Sequence, residues 1–210
     1  MFKTKTKKVM LALALVAVLA LGGTFAYLTK VTNKAENVFT FNADGVSVEL
    51  REPGWKTNEA NNVGPGKELT KDPQITNLGE LDVYAAIRVQ FVNKAKNAQI
   101  TPEEYTRLMT LMTVQSGATG AYSTDWTRIG ANPLSANEIY YTNTSFAKNI
   151  TTQPLFTNVT FKKNMSNADQ DWLQTSFPQG FTIRLTPAAV QANAYASAQL
   201  ASVELEKLLK

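Results

Sequence analysis

Glu103 with Glu104, and Asp169 with Asp171, are carboxylate pairs spaced closely enough to serve as general acid and base. Neither has the partners that hydrolytic designs use, because the chain contains no histidine and no cysteine. A Ser-His-Asp or Cys-His nucleophile is excluded. So is a His-Glu-x-x-His zinc site, and there are no thiolates to replace the imidazoles. Neither a Walker loop nor a dinucleotide glycine loop occurs. Glu103 and Glu104 read as a helix start: Thr101 caps, Pro102 takes the first helical position, and Glu104 can close a capping box. Asn167-x-Asp169-x-Asp171 has the opening spacing of a calcium loop. Trp172 stands where that loop needs glycine, however, and Pro178 where it needs glutamate, so capping of a short helix over 167–175 explains it better. Asn-x-Ser/Thr triplets begin at Asn143, Asn149, Asn158 and Asn164 and read as a consequence of an Asn- and Thr-rich composition. Trp55, Trp126, Tyr140 and Tyr141 could stack on sugars, but core and rim packing is the preferred reading. No catalytic residue, metal ligand or cofactor is expected.

The N-terminus has the form of an export signal. Lys3, Lys5, Lys7 and Lys8 precede an apolar run from Val9 to Leu21, which Gly22-Gly23 breaks, and Thr24-Phe25-Ala26 supplies the small residues of a cleavage site. Cleavage is expected after Ala26, leaving Tyr27 first. An uncleaved anchor is the competing reading, since ~20 apolar residues can span a bilayer. The 21 basic residues of the chain include the four leader lysines, so 17 remain against 17 acidic ones. A nucleic-acid reader needs clustered positive charge, and this balance excludes that class.

The remainder is long enough for one domain with a sizeable core. Its apolar residues recur at every second position, the pattern of half-buried strands. Phe39 and Phe41 begin it; Val46, Val48 and Leu50 follow, then Val83, Ala85, Ile87, Val89 and Phe91. Leu155, Thr157, Val159 and Phe161, and Phe181, Ile183 and Leu185, repeat it, with turn formers such as Pro53-Gly54, Asn77 to Gly79 and Pro178 to Gly180 between runs. This predicts a β-sandwich. After Thr101, a helix should place Tyr105, Leu108, Met109 and Met112 over one edge or end of the sandwich. A C-terminal helix over 194–210 should place Leu200, Val203 and Leu208 on one side. Residues 115–136 carry no clear pattern.

Several segments together resemble the TasA/camelysin-like family of exported proteins with SipW-type signal peptides. They are Leu21 to Thr29 with Asn37 to Phe41; Val46 to Glu52 with Trp55, like the family's "Glu-Pro-x-Trp"; and Pro65-Gly66 followed by Lys71-Asp72-Pro73-Gln74-Ile75-Thr76-Asn77-Leu78-Gly79. Tyr84 to Phe91, Ile139-Tyr140-Tyr141, Thr151 to Phe161 and Phe181 to Gln191 continue the likeness in order. Gln191-Ala192-Asn193 departs from the family's "Gln-Ala-Asp-Gly", and a long tail follows it. The resemblance implies a jelly-roll-like sandwich, processing by a SipW-type signal peptidase, and assembly into extracellular fibres. Camelysin-like members are classed as peptidases; without histidine to hold a metal, that activity is not carried over.

The expected layout is a signal peptide over 1–26, an arm over 27–40, an all-β jelly-roll-like sandwich over 41–193 with one or two short peripheral helices, and a helical tail over 194–210. The expected function is that of a biofilm-matrix fibre protein, secreted to the matrix or cell surface. Its arm, through Tyr27, Leu28, Val31, Val38, Phe39 and Phe41, would complete a sheet edge on a second copy. A minor fibre or anchoring subunit is a further expected partner, nucleic acid is not, and a membrane enters only through an uncleaved signal. The alternative is a monomeric surface adhesin or carbohydrate-binding module.

Overall fold

The computed structural model describes residues 29–31, 45–61, 63–116, 122–130 and 135–210. The two longest strands, β5 (Val83–Asn93) and β11 (Phe181–Gln191), pair antiparallel along their whole length, from Phe181 opposite Asn93 to Gln191 opposite Val83. Around this pair the first sheet runs in the order β1 (Thr29–Val31), β11, β5, β9 (Asn137–Thr142), β8 (Trp126–Arg128), with β6 (Ala98–Gln99) also beside β5. Every pairing is antiparallel.

The second layer has two parts. One pairs β2 (Val48–Arg51) with β4 (Gln74–Asn77); the other sets β10 (Asn158–Phe161) between β3 (Glu68–Thr70) and β7 (Met112–Gln115). Lys71 N–H donates to Thr157 O at 2.9 Å and Leu155 N–H to Pro73 O at 2.9 Å, carrying the β3–β10 register onward. Thr152 N–H to Ile75 O at 2.9 Å, and the bridge between Thr76 and Thr151, continue it one residue out of step. The two parts are therefore the ends of one layer bent at a bulge, which adds local twist.

The predicted alternation is what fills the core. Val46, Val48 and Leu50 from one layer, and Val83, Ala85, Ile87, Val89 and Phe91 from the other, belong to a single buried cluster with Leu155, Val159, Phe161 and Leu185. This is the all-β sandwich that the period-two pattern requires. Phe39 and Phe41 lie outside the described residues.

Helix α1 (Pro102–Leu111) starts as its sequence predicts. Glu104 N–H donates to Thr101 Oγ1 at 3.1 Å, and Thr101 N–H to Glu104 Oε2 at 2.8 Å. It seals the core with Tyr105, Leu108 and Leu111. Helix α2 (Asn167–Ser176) is opened by the same reciprocal device between Ser166 and Asp169. The spacing of Asn167, Asp169 and Asp171 is thus that of a cap.

Helix α3 (Ala198–Leu209) corrects the sequence expectation. Its buried side is Ala201, Leu205 and Leu209, whereas Leu200 and Val203 are 55% and 53% exposed. The helix lies on the outer face of the first sheet, where Ala86, Ala188 and Val190 form a second cluster with it. Alanines on both surfaces permit close approach, so the position of Ala201 sets which stripe faces the sheet. At its far end the Arg88 guanidinium on β5 donates to the Leu209 carbonyl, satisfying a helix terminus that would otherwise lack a donor. The 3₁₀ turns at Thr57–Asn61 and Ala192–Ala194 have no counterpart among the expected elements.

Candidate functional site

The open side of the sandwich is the outer edge of β11. Thr29, Lys30 and Val31 pair there with Val190, Ala189 and Ala188 of the same chain. These three pairs are all that occupy that edge among the described residues, so β11 from Phe181 to Pro187 has no strand beyond it. Pro187 suits such a border: it has no N–H to offer a neighbour, and proline within sheets is confined to edges and bulges. Exposed Thr182 and Arg184 blunt the rest, as charged and polar side chains do on edge strands. The three arm-bearing residues Ala188, Ala189 and Val190 are themselves buried to 0%, 0% and 1% exposure, held between the sandwich core and α3. Of the arm residues read from the sequence, Val31 is on β1. Tyr27, Leu28, Val38, Phe39 and Phe41, with the cleavage residue Ala26, lie outside the described residues.

A second constellation joins two motifs that are remote in sequence. Glu52 Oε1 meets Lys71 Nζ at 2.6 Å, with both side chains under 10% exposed. Gly54 N–H donates to both carboxylate oxygens of Asp72, at 2.9 and 3.0 Å. The Trp55 ring covers the Lys71 ammonium at 4.7 Å, a cation–π contact. A Cβ on Gly54 would come within 2.5 Å of Thr70 Cγ2, so any larger residue there would displace the Thr70 side chain. Further along the same segment, buried Asn77 donates to the carbonyls of Leu81 (2.8 Å) and Phe146 (3.1 Å), while its own oxygen accepts from Gly79 N–H (2.9 Å). Glu-Pro-Gly-Trp and Lys-Asp-Pro are thus two halves of a brace across the bend in the second layer. Both motifs are visible in the sequence, but their contact is not.

The sugar-stacking aromatics are not assembled into a platform. Trp126 and Tyr140 are core residues, 5% and 3% exposed, and the Trp126 indole donates to Gln153 O at 3.0 Å. Trp55 is half-buried over Lys71, and Tyr141 packs beside α3. Tyr122 stacks on Tyr140 with ring centroids 4.6 Å apart. Burial, then the nearby Glu138 charge, pushes the Tyr105 hydroxyl up to about 12 and that of Tyr140 higher still. Tyr122 is raised as well, first by burial and next by Tyr140. These phenols stay neutral and act as core.

Residues 1–101 match the family model described as camelysin metallo-endopeptidase. Over that stretch the chain is camelysin-like. The match bears out the resemblance seen from Leu21 to Phe91; the segments quoted beyond residue 101 lie outside it. No curated protein and no solved structure gives a significant match. The family's printed name implies a catalytic metal, and the donors present do not fit one. The chain has neither histidine nor cysteine. Among the described residues, no three carboxylates converge on a point. Glu52, Asp72, Asp169 and Glu138 are each engaged by an amine, a guanidinium or backbone N–H groups. The described side chains therefore give a metal-dependent step no ligand set. Among the described residues no helix is long and apolar enough to cross a membrane.

Proposed function

We propose that this camelysin-like protein is an exported structural subunit that polymerises by strand exchange into extracellular matrix fibres, with no catalytic role. The observation that carries this reading is the β1–β11 pairing. A short N-terminal strand is held on an otherwise open edge by three residue pairs, and such an edge accepts an identical strand from another copy equally well. Backbone pairing supplies affinity in either case, so the balance is set by tether length and concentration. Residues 32–44, between β1 and Gly45, can reach at most about 45 Å when extended. That is comparable to the diameter of a domain with a radius of gyration of about 16 Å. An arm released by cleavage after Ala26 can therefore reach a neighbouring β11. Because the donor and acceptor surfaces differ, the contact is head-to-tail and propagates as a filament unless it closes into a ring.

The test compares the processed chain from Tyr27 with one starting at Asn42, by electron microscopy and sedimentation. Filaments from the first and monomers from the second are expected. Equal filament formation by both would remove the arm from the mechanism.

A further inference from the structure

We infer that Pro187 is a stop within the arm-receiving edge, which keeps the arm's pairing short enough to exchange; this rests on the strand-exchange reading. Along an antiparallel strand, successive residues turn their backbone groups alternately to one neighbour and to the other. At the two ends of the β11–β5 pairing, Lys94 N–H donates to Gly180 O at 3.1 Å and Ala192 N–H to Asp82 O at 2.8 Å. The even-numbered residues of β11 therefore bond to β5. The odd-numbered ones, from Phe181 to Gln191, turn their N–H and C=O groups to the open edge. Pro187 is one of these and stands opposite Ile87, so its missing N–H costs the β5 ladder nothing. It does weaken the edge. Of the three pairs with β1, Lys30 opposite Ala189 is the one placed to form both backbone bonds. The next outward position toward Phe181 is Pro187, which can accept a bond but not donate one, and which puts ring carbons where the N–H would be.

Pro187 thus divides the edge in two. Ala189 and Gln191 lie on the side that β1 occupies; Leu185, Ile183 and Phe181 lie on the other, which no strand meets among the described residues. A strand lying on the first part cannot run on as an unbroken ladder into the second. Were both parts zipped, several more backbone bonds would hold the arm, each contributing about 0.5–1.5 kcal/mol, and the arm would leave slowly. The occupant is the N-terminal arm, whether of the same copy or of a second one. The proline acts on both alike, so it sets how fast and how reversibly arms exchange.

The experiment uses the processed chain, unaltered and carrying Pro187→Val, which restores the donor with a strand-favouring residue of similar bulk. Amide hydrogen exchange on the unaltered monomer should show Ile183 and Leu185 fast between slow Arg184 and Thr186, with Ala189 slow beneath β1. In the variant, the amides at 187, 185 and 183 should become protected. Subunit exchange between differently labelled filaments should slow about tenfold, as one or two added backbone bonds predict. A proline that only stiffened the fold would change the thermal midpoint on substitution and leave Leu185 fast. A variant with fast Ile183 and Leu185 and an unaltered exchange rate would overturn the role of Pro187 and leave strand exchange standing. Slow Leu185 in the unaltered monomer would do the same, whether or not the variant folds. Filaments from a chain lacking the arm, or an Ala189 amide that stays slow in that chain, would overturn both.

Discussion

Glu52 Oε1 and Lys71 Nζ lie 2.6 Å apart where the second layer bends, 19 positions apart in the chain and with side chains 9% and 7% exposed. At that burial neither charge can turn to water if its partner is lost. Glu52→Ala should therefore cost about 3–5 kcal/mol. Replacing both together, as Glu52→Leu with Lys71→Met, should recover most of that loss, since no uncompensated charge remains. Urea unfolding of the two variants checks this. A loss below ~1 kcal/mol for the single change would mean that water reaches the pair.

On α3, the two faces should respond oppositely to the same substitution. Leu205 is fully buried against Ala86 and Ala188, so Leu205→Ala should cost about 2–5 kcal/mol. Leu200→Ala, on the exposed flank, should stay within about 0.5 kcal/mol in the monomer. Thermal unfolding at a concentration below that of assembly separates them. Equal losses would mean that the helix is rotated.

Alkaline pH should unfold the domain through its tyrosines. Burial raises Tyr105 to about 12, and Tyr122 and Tyr140 also lie above the ordinary value of 10.0. A phenol raised in the folded state leaves stability intact below the unfolded value of about 10, where both states hold the proton; above it the unfolded chain releases the proton more readily, so the domain loses stability as pH rises from about 10 up to the folded value. Absorbance at 295 nm should show these phenolates appearing together with the loss of folded circular dichroism. Their ionisation at ordinary pH in a still-folded chain would contradict the packing of Tyr122 on Tyr140.

The parts of this fold that could be read in advance are those written in local periodicity. Val83 to Phe91 alternates because a strand buried on one face must, and all five alternate residues are in the core. Thr101 and Glu104 are three residues apart because one helical turn brings their side chain and backbone groups together, and both bonds form. Where a competing choice existed, local pattern gave way. Leu200 and Val203 make a plausible apolar stripe, yet the alanine surface of the sheet selected Ala201, Leu205 and Leu209. Trp126 and Tyr140 could serve as rim or core by type alone, and their cross-strand neighbours placed them inside.

By itself the amino-acid sequence excluded the histidine- and cysteine-dependent chemistries, required a strand-rich sandwich, and located the starts of the first two helices, because composition and short-range spacing are properties of the chain before it folds. Only the tertiary structure decided that Glu52 meets Lys71, that Thr29–Val31 sits on Ala188–Val190, and which side of α3 is hidden. Those choices join residues far apart in the chain, and they depend on shape and unpaired backbone groups that exist only once both layers are in place.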